Sequence, residues 1–231
     1  MDFISGEIFA MDKPLGWTSF DLVNRVRKQL CRDLNLKKLK VGHAGTLDPL
    51  ATGVVIICTG RKTKLIEQLM NHDKEYVATL QLGATTPSFD LEHPVDKTYP
   101  TEHINRKLIE QIIPTFKGEQ WQIPPVYSAV SINGKRAYNL ARKGATEGEI
   151  ELKPKLLVIE QIEILNFNEY TMQLTIRIVC SRGTYIRALA RDIGKKLQSG
   201  AHLIKLRRTR VGEYTLDKCV TLEYLMNNET I

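Results

Sequence analysis

The chain has 231 residues, of which 42% are hydrophobic and 26% are charged, the balance of a soluble globular protein with one sizeable domain or two small ones. No apolar run approaches the roughly eighteen residues that a membrane span needs, and the N-terminus lacks the basic start and apolar core of a secretion signal, so we expect a cytoplasmic protein. The formal net charge of +7 favours a polyanionic partner, most commonly a nucleic acid.

The first part of the chain carries five predicted elements. They are, in order, a helix at 18–31, a glycine-rich loop at 40–53, a buried strand at 54–58, a helix at 63–70 and a half-buried strand at 75–83. Thr18 or Ser19 can cap the first helix, and Asp21 suits its positive end. In the last strand, apolar residues alternate with polar ones from Tyr76 onward.

The second part is predicted from the same periodicities. It contains a helix at 101–113 that Pro114 ends, a mixed polar segment at 121–149 with a projecting loop, a strand at 171–180 and an amphipathic helix at 184–198. Strands and helices are interspersed without regular βαβ alternation. We therefore expect an α+β fold in which helices flank a mixed, mostly antiparallel sheet.

The loop KVGHAGTLDPLATG, residues 40–53, holds three glycines and an Asp-Pro pair. Lys40 and Asp48 are its only certain charges at neutral pH. One interpretation is a surface turn, because Gly, Asp and Pro favour turns for conformational reasons alone. The other is a site in which a stiff, uncharged loop presents a single carboxylate.

Other familiar chemistries have no support in the sequence. The four cysteines form no CxxC pair and the five histidines form no HxxxH or HExxH arrangement, so we expect no metal. There is no GxGxxG motif after a strand, GRKT at 60–63 lacks the spacing of a phosphate loop, and no GxSxG motif is present. We expect no cofactor.

Positive charge is concentrated in two segments. Residues 24–40 carry seven basic side chains against the single acid Asp33, and residues 203–210 carry four with no acid. Either segment alone is typical of a solvated helix face. Two of them in a protein of positive net charge favour contacts with the phosphates of a nucleic acid.

The segment CSRGTYIR, residues 180–187, connects a predicted strand to a predicted helix through Gly183. Such a turn is a natural rim for a pocket. Arg187 either pairs there with a buried aspartate and keeps it ionised, or faces solvent. Tyr185 either lines the pocket or packs in the core.

Six stretches together resemble the TruB-type tRNA pseudouridine synthases. They follow the family order across nearly the whole chain: DKPLGWTSFDLV (12–23), KVGHAGTLDPLATGVVIICTGRKTKL (40–65), DKEYVATLQLGATTPSFD (73–90), IPPVYSAVSINGKRAYNLARKG (123–144), CSRGTYIRALARDIG (180–194) and LRRTRVGEY (206–214). The resemblance implies the pseudouridine synthase fold, with an RNA-gripping insertion at about 124–152. It also implies isomerisation of the T-loop uridine at position 55 of tRNA to pseudouridine, without a cofactor.

The same resemblance implies three catalytic residues. Asp48 matches the nucleophilic aspartate of the GTLDP loop, Tyr76 stacks on the target base, and Arg187 pairs with Asp48. The nucleotide is flipped out of the folded loop, at a cost of a few kcal/mol. Whether Asp48 adds covalently or abstracts the 2′ proton on a glycal route is left open.

Further matches concern the RNA. By resemblance, His43 fills the gap left in the T loop, although a solvated loop histidine is the alternative, and Tyr185 and Leu206 line the base pocket. Lys13 supports the floor of the site. Arg207 and Arg208, in the second basic segment, would hold phosphates.

Many relatives continue into a small RNA-binding domain of the PUA type, whereas this sequence ends with TLEYLMNNETI. We therefore expect one catalytic domain over residues 1–231, a monomer that binds the T arm without an obligatory protein partner. A tRNA-folding chaperone without turnover and a basic ribosome-associated protein are the alternatives. The combination of Asp48, Tyr76 and Arg187 argues against the first, and the uncharged glycine loop against the second.

Overall fold

The computed structural model describes residues 1–128, 130–132, 135–138 and 152–221. Its helices are α1 (Ser19–Asp33), α2 (Ile66–Leu69), α3 (Arg106–Ile112) and α4 (Ile186–Lys196), and short 3-10 helices cover Gly60–Leu65, Ile113–Phe116 and Leu216–Lys218. The strands are β1 (Ile8–Lys13), β2 (Val41–Ala44), β3 (Ala51–Thr59), β4 (Lys74–Leu82), β5 (Ala84–Thr85), β6 (Lys97–Thr98), β7 (Gly118–Gln122), β8 (Ser131–Ile132), β9 (Lys135–Arg136), β10 (Lys155–Asn168), β11 (Gln173–Cys180), β12 (Ala201–Val211), β13 (Tyr214–Thr215) and β14 (Cys219–Val220).

The chain forms two compact units. The first is built from Met1–Tyr76 together with the chain from Leu206 onward, and the second from Val77–Lys205. Both boundaries fall inside a strand, one in β4 and the other in β12. The organisation as one catalytic domain stays a prediction.

The first unit contains strands in the order β14-β1-β3-β12, with β2 also paired to β3 and β13 to β12. β3 is antiparallel to β1 and β2 but parallel to β12, and β1 is parallel to β14. The apolar run of β3 is completely buried and packs with Ala10, Ala44 and Val211. The rigid centre of this unit is therefore the strand that follows the glycine-rich loop.

The second unit contains strands in the order β4-β11-β10-β7, in which β10 is antiparallel to both of its neighbours. With the pairings of the first unit, this confirms a mixed, mostly antiparallel α+β architecture. The apolar residues of β11 at Leu174, Ile176 and Ile178 are fully buried, as their alternation predicted.

Local sequence signals predicted α1 and α3 with different success. Thr18 caps α1: its side chain accepts a hydrogen bond from the Asp21 backbone N–H, and Asp21 accepts one in return from the Thr18 N–H. For α3, the predicted start at 101 is wrong. Asn105 is the cap, accepting from the Leu108 N–H at 3.0 Å, because residues 101–104 form a separate turn.

Residues 203–210 lie in the strand β12, so the interpretation of this segment as a solvated helix face is wrong. Consecutive side chains of a strand point to opposite faces, so its basic residues do not share one surface. The predicted RNA-gripping insertion at 124–152 falls largely outside the described residues. Of its described part, Val126, Ala137 and Leu152 pack together as a small cluster.

Candidate active site

The loop that carries Asp48 joins β2 to β3 in the first unit. Asp48 is half-buried, and its backbone carbonyl accepts a hydrogen bond from the Ala51 N–H at 3.0 Å, which closes a turn over Pro49. Thr46 and Leu50 are exposed on either side of it. The turn predicted from composition is therefore present.

A buried serine holds the residue before Asp48. The Ser19 hydroxyl accepts a hydrogen bond from the Leu47 N–H at 2.8 Å and donates one to the Leu47 carbonyl at 3.1 Å. Ser19 is the first residue of α1, so the end of a capped helix fixes the loop. The two groups that meet are 28 residues apart in the chain.

Lys13 secures the other side of the loop. Its side chain is fully buried, and its ammonium donates to the carbonyls of Trp17 at 2.6 Å, Pro14 at 3.0 Å and Pro49 at 3.4 Å. Burial lowers the pKa of Lys13 to about 8, and the negative charge of Asp48 opposes that effect. A cation that is distant in sequence therefore lies within electrostatic reach of the carboxylate.

Arg208 lies beneath the same loop. It is 1% exposed; its Nε donates to the Val54 carbonyl at 2.6 Å, and its two Nη atoms donate to the carbonyls of Thr46 at 3.3 Å and Gly45 at 3.2 Å. A side chain in this position cannot lie on the surface that touches phosphates. The prediction that Arg208 is a phosphate contact is therefore wrong, because the alternation of β12 turns it inward.

The neighbouring basic residues of β12 are also paired. Arg207 is partly exposed, and its Nη2 contacts the Asp12 carboxylate at 2.6 Å while Nη1 donates to the Thr52 hydroxyl at 3.2 Å. Arg210 forms an ion pair with Glu75 at 3.9 Å. The second basic segment thus offers much less free charge than its composition indicated.

In the first basic segment, several basic side chains remain exposed, and a second group of basic side chains lies beside them. Lys37, Lys38 and Lys40 are exposed, and the Gly60 N–H donates to the Lys40 carbonyl at 2.9 Å. This bond brings the 3-10 helix Gly60–Leu65, with its exposed Arg61, Lys62 and Lys64, against the first segment. Residues 34–47 and 59–66 contain no acidic residue. We call the six exposed side chains of Lys37, Lys38, Lys40, Arg61, Lys62 and Lys64 the basic surface.

His43 lies on β2 opposite Ile57, half-buried rather than on a solvated loop. Its Nδ1 is buried and has no hydrogen-bond partner within the described chain. Burial lowers the pKa of His43; the backbone of Gly45 opposes that effect, and the positive charge of Arg208 adds to it. The ring is therefore predominantly neutral near pH 7.

Tyr76 and Leu206 occupy strands of the same unit. Tyr76 is 8% exposed on the buried face of β4, as the alternation predicted. Leu206 is half-buried in β12 opposite Ala51, the first residue of β3.

In the second unit, Arg187 is buried in the first turn of α4. Its Nη2 donates to the Tyr127 carbonyl at 2.9 Å, Nη1 donates to the Ser88 carbonyl at 3.2 Å, and Nε lies 3.6 Å from an oxygen of Asp90. The Ser88 hydroxyl and the Glu92 N–H both donate to the same Asp90 carboxylate. The interpretation of Arg187 as solvent-facing is thus wrong.

Sequence reasoning missed Asp90, although it ends the stretch TTPSFD. Asp90 forms an ion pair with Arg187, which lies 97 positions later in the chain and contacts it only in the folded unit. The pair predicted between Arg187 and Asp48 involves residues of both units and stays a prediction.

Tyr185 immediately precedes α4 and is fixed through its backbone. The buried Gln122 side chain accepts from the Tyr185 N–H at 2.9 Å and donates to the Tyr185 carbonyl at 3.2 Å. A two-bond contact from β7 therefore fixes the start of the helix that carries Arg187.

Two features are absent from residues 1–128, 130–132, 135–138 and 152–221. No group of three or more His, Cys, Asp or Glu side chains there is arranged to hold a metal ion. No helix there has both the length and the apolar composition to span a membrane.

Two family models match adjoining parts of the sequence and together cover residues 32–230. One, for the N terminal domain of the TruB family pseudouridylate synthases, matches residues 32–186, and the other, for the tRNA pseudouridylate synthase B C-terminal domain, matches residues 187–230. Together with the held aspartate loop, these matches define the class. The chain belongs to the TruB family of pseudouridylate synthases.

Curated relatives agree with the family. A tRNA pseudouridine synthase B of Bacteroides fragilis is 62% identical over 220 residues, which are 95% of this chain and 92% of the relative. The protein of the same name from Flavobacterium johnsoniae is 46% identical over 96% of this chain and 95% of the relative. For the one from Clostridium kluyveri, the identity is 42% over 94% of this chain and 71% of the relative.

Solved structures share the fold. An archaeal box H/ACA sRNP Nop10–Cbf5 complex matches with a TM-score of 0.67 and 28% identity, covering 97% of this chain and 54% of the matched chain. A Cbf5–Nop10–Gar1 complex matches with a TM-score of 0.69 and 30% identity, covering 96% and 53%. This chain therefore spans about half the length of those two chains.

Proposed function

We propose that this protein isomerises the uridine at position 55 in the T loop of tRNA to pseudouridine. The observation that carries the proposal is the loop around Asp48, which matches the GTLDP motif of the TruB family and is held at Leu47 and Pro49 by buried side chains. Relatives that match this chain over nearly their whole length bear the name tRNA pseudouridine synthase B.

In the proposed reaction the N1–C1′ bond breaks, the base rotates, and C5 bonds to C1′ before C5 loses its proton and N1 gains one. Atoms and electrons are conserved, so neither a redox partner nor a phosphoryl donor is needed. The Asp48 carboxylate acts on the flipped nucleotide, either by adding to it or by taking the 2′ proton. Arg187 pairs with this carboxylate, and Tyr76 stacks on the base.

The arrangement of the loop supports a role in chemistry rather than only in binding. Positioning of a reactive group is a large part of enzymatic rate enhancement, and a misplacement of about 1 Å can cost about 100-fold in rate. The carbonyls around Asp48 accept hydrogen bonds from Lys13 and Ser19, which are both buried. A protein that only bound RNA would not need a carboxylate held in this way.

For recognition of the substrate, we propose that the basic surface contacts phosphates of the T arm. β2 leads directly from Lys40 to the Asp48 loop, so one strand of four residues, at about 3.4 Å each, connects the basic surface to that loop. Arg207 makes an additional phosphate contact beside its ion pair with Asp12. His43 fills the gap left by the flipped nucleotide, and Tyr185 and Leu206 line the pocket for its base.

We further propose that the enzyme works in the cytoplasm as a monomer without an obligatory protein partner. The names of the solved complexes include Nop10 and Gar1, whereas the curated relatives with the better length match are named for tRNA alone. The proposal for this chain therefore rests on the curated relatives.

The test uses an unmodified tRNA transcript incubated with purified protein, followed by chemical mapping of pseudouridine at every uridine. We expect modification at position 55 and none in a transcript that carries cytidine there. Tight RNA binding with no pseudouridine at any position would instead support the tRNA-folding chaperone. Pseudouridine only at positions outside the T loop would contradict the substrate assignment.

A further inference from the structure

We propose that Arg208 is a positioning residue for the reaction, which sets the placement of the Asp48 loop from beneath and makes no contact with RNA. The inference rests on the proposed function of Asp48. It replaces the prediction that Arg208, as part of the basic segment 203–210, contacts a phosphate.

The guanidinium connects the two ends of one segment. Gly45 and Thr46 lead into the loop, and Val54 follows it in β3; the carbonyls of all three accept hydrogen bonds from Arg208. Asp48 lies between these anchor points in the chain. A rigid group bonded to both ends therefore restricts how far the loop can shift as a body.

Close approach of two strands brings the side chain to this position. β12 runs parallel to β3 with Arg208 opposite Gly53, and a Cβ atom on Gly53 would lie 2.1 Å from the Arg208 carbonyl oxygen. Gly53 has a φ of +112°, which glycine adopts without strain. The bare glycine thus lets β12 lie close to β3, and Arg208 reaches the carbonyls on both sides of the loop.

Arginine suits the task better than lysine. Its planar guanidinium offers five N–H donors in a fixed fork, whereas lysine has a single ammonium centre. Three carbonyls from different positions are reached here by three different nitrogen atoms, Nε, Nη1 and Nη2. A lysine at 208 would keep the charge and lose the simultaneous contact with both ends.

Burial separates this role from a role in binding. Arg208 is 1% exposed, so removal of its side chain takes no surface charge from an RNA interface. Its loss should slow the chemical step while leaving RNA affinity and its salt dependence unchanged. A phosphate contact would show the opposite behaviour, because each such contact contributes about one unit to the log–log salt slope.

The experiment compares Arg208→Lys and Arg208→Ala with the wild type, using single-turnover rates at saturating enzyme, RNA dissociation constants over a salt series, and Tm. For Arg208→Ala we expect a rate lower by about 100-fold, the size of effect that a misplacement of about 1 Å produces. Arg208→Lys should fall between the two. Millimolar guanidinium should restore part of the rate of Arg208→Ala, and the same concentration of sodium chloride should not.

Arg191→Ala is the matched control. Arg191 is also a buried arginine, 5% exposed, and its Nη2 donates to the Ile123 carbonyl at 2.9 Å, in the second unit. We expect this variant to lose stability and to keep a rate near that of the wild type, measured below its Tm. A similar rate loss in Arg191→Ala and Arg208→Ala would reduce Arg208 to a general structural role.

Three further results would overturn the inference. They are a normal rate in Arg208→Lys, a lower Tm of Arg208→Ala with an unchanged rate, and a salt slope reduced by about one unit in either Arg208 variant. If Arg208→Ala does not fold, Arg208→Lys decides the question through its rate at unchanged RNA affinity. Absence of product with the wild-type protein would instead contradict the proposed function.

Discussion

Gly53→Ala should disturb the contact between β3 and β12 through a single added methyl group. The ideal Cβ would lie 2.1 Å from the carbonyl oxygen of Arg208 and 2.8 Å from its backbone carbon and nitrogen. These are backbone atoms, so no side chain can rotate away to make room. The two strands must separate by about 1 Å to restore ordinary van der Waals contact.

The free-energy cost has two parts. A positive φ costs a non-glycine residue roughly 1–2 kcal/mol, and forcing extra volume into a packed site costs about 1–3 kcal/mol. We therefore expect Gly53→Ala to lower the free energy of unfolding by about 2–5 kcal/mol. For a chain of this size, each 1 kcal/mol corresponds to a Tm change of roughly 2–4 °C.

Gly118→Ala separates the two parts. Gly118 also has a positive φ, of +95°, but nothing lies within 4 Å of its ideal Cβ. This control should therefore lose only the strain of roughly 1–2 kcal/mol. Urea and thermal unfolding of the two variants measure the difference, and equal losses of stability would refute the close approach of β12 to β3. Gly53→Ala should also lower the rate of pseudouridine formation, because the added methyl group displaces the backbone of Arg208.

Three other predictions concern Ser19 and Lys13 beside the Asp48 loop and Lys62 on the basic surface. Ser19→Ala should lower the free energy of unfolding by about 1–3 kcal/mol and also slow the reaction, because the Leu47 N–H and carbonyl lose a buried partner. Urea titration measures the first effect and single-turnover kinetics the second, and an unchanged rate would contradict the prediction. The pKa of Lys13 is about 8 in the folded protein, so the unfolded chain binds more protons between about pH 8 and 10.5. The free energy of unfolding of the wild type should therefore rise with pH across this window relative to that of Lys13→Met. A difference between the two proteins that does not change with pH would refute the lowered pKa. Lys62→Gln should reduce the log–log salt slope of RNA binding by about one unit. The control is Lys107→Gln, which changes an exposed lysine of α3 outside the basic surface and should leave the slope unchanged. Equal slopes for the two variants would place Lys62 outside the interface.

Elements whose evidence is local were predictable from the sequence. The cap and apolar stripe of α1 lie within about four turns of helix, and the alternation of β4 and β11 is visible in adjacent residues. β10 escaped prediction because register shifts near Ile159 and Ile164 interrupt its alternation and several of its apolar side chains are exposed.

The candidate site was predictable only in part. The motif resemblance singled out Asp48, but the groups that hold its loop come from distant positions: Ser19 is 28 residues from Leu47, and Arg208 is 154 residues from Val54. Charge alone could not distinguish Arg207, at the surface, from Arg208, in the interior. That distinction depends on the register of β12 against β3, which is a property of the folded sheet.

The proposed reaction depends on the Asp48 carboxylate. The direct measurement is pseudouridine formation on a T-loop RNA by the wild type and by Asp48→Asn, with the RNA dissociation constant of each measured under the same salt. We predict product with the wild type alone and near-equal affinity for both proteins, because the substitution keeps the shape of the side chain and removes its charge. Equal amounts of product from the two proteins would remove Asp48 from the mechanism.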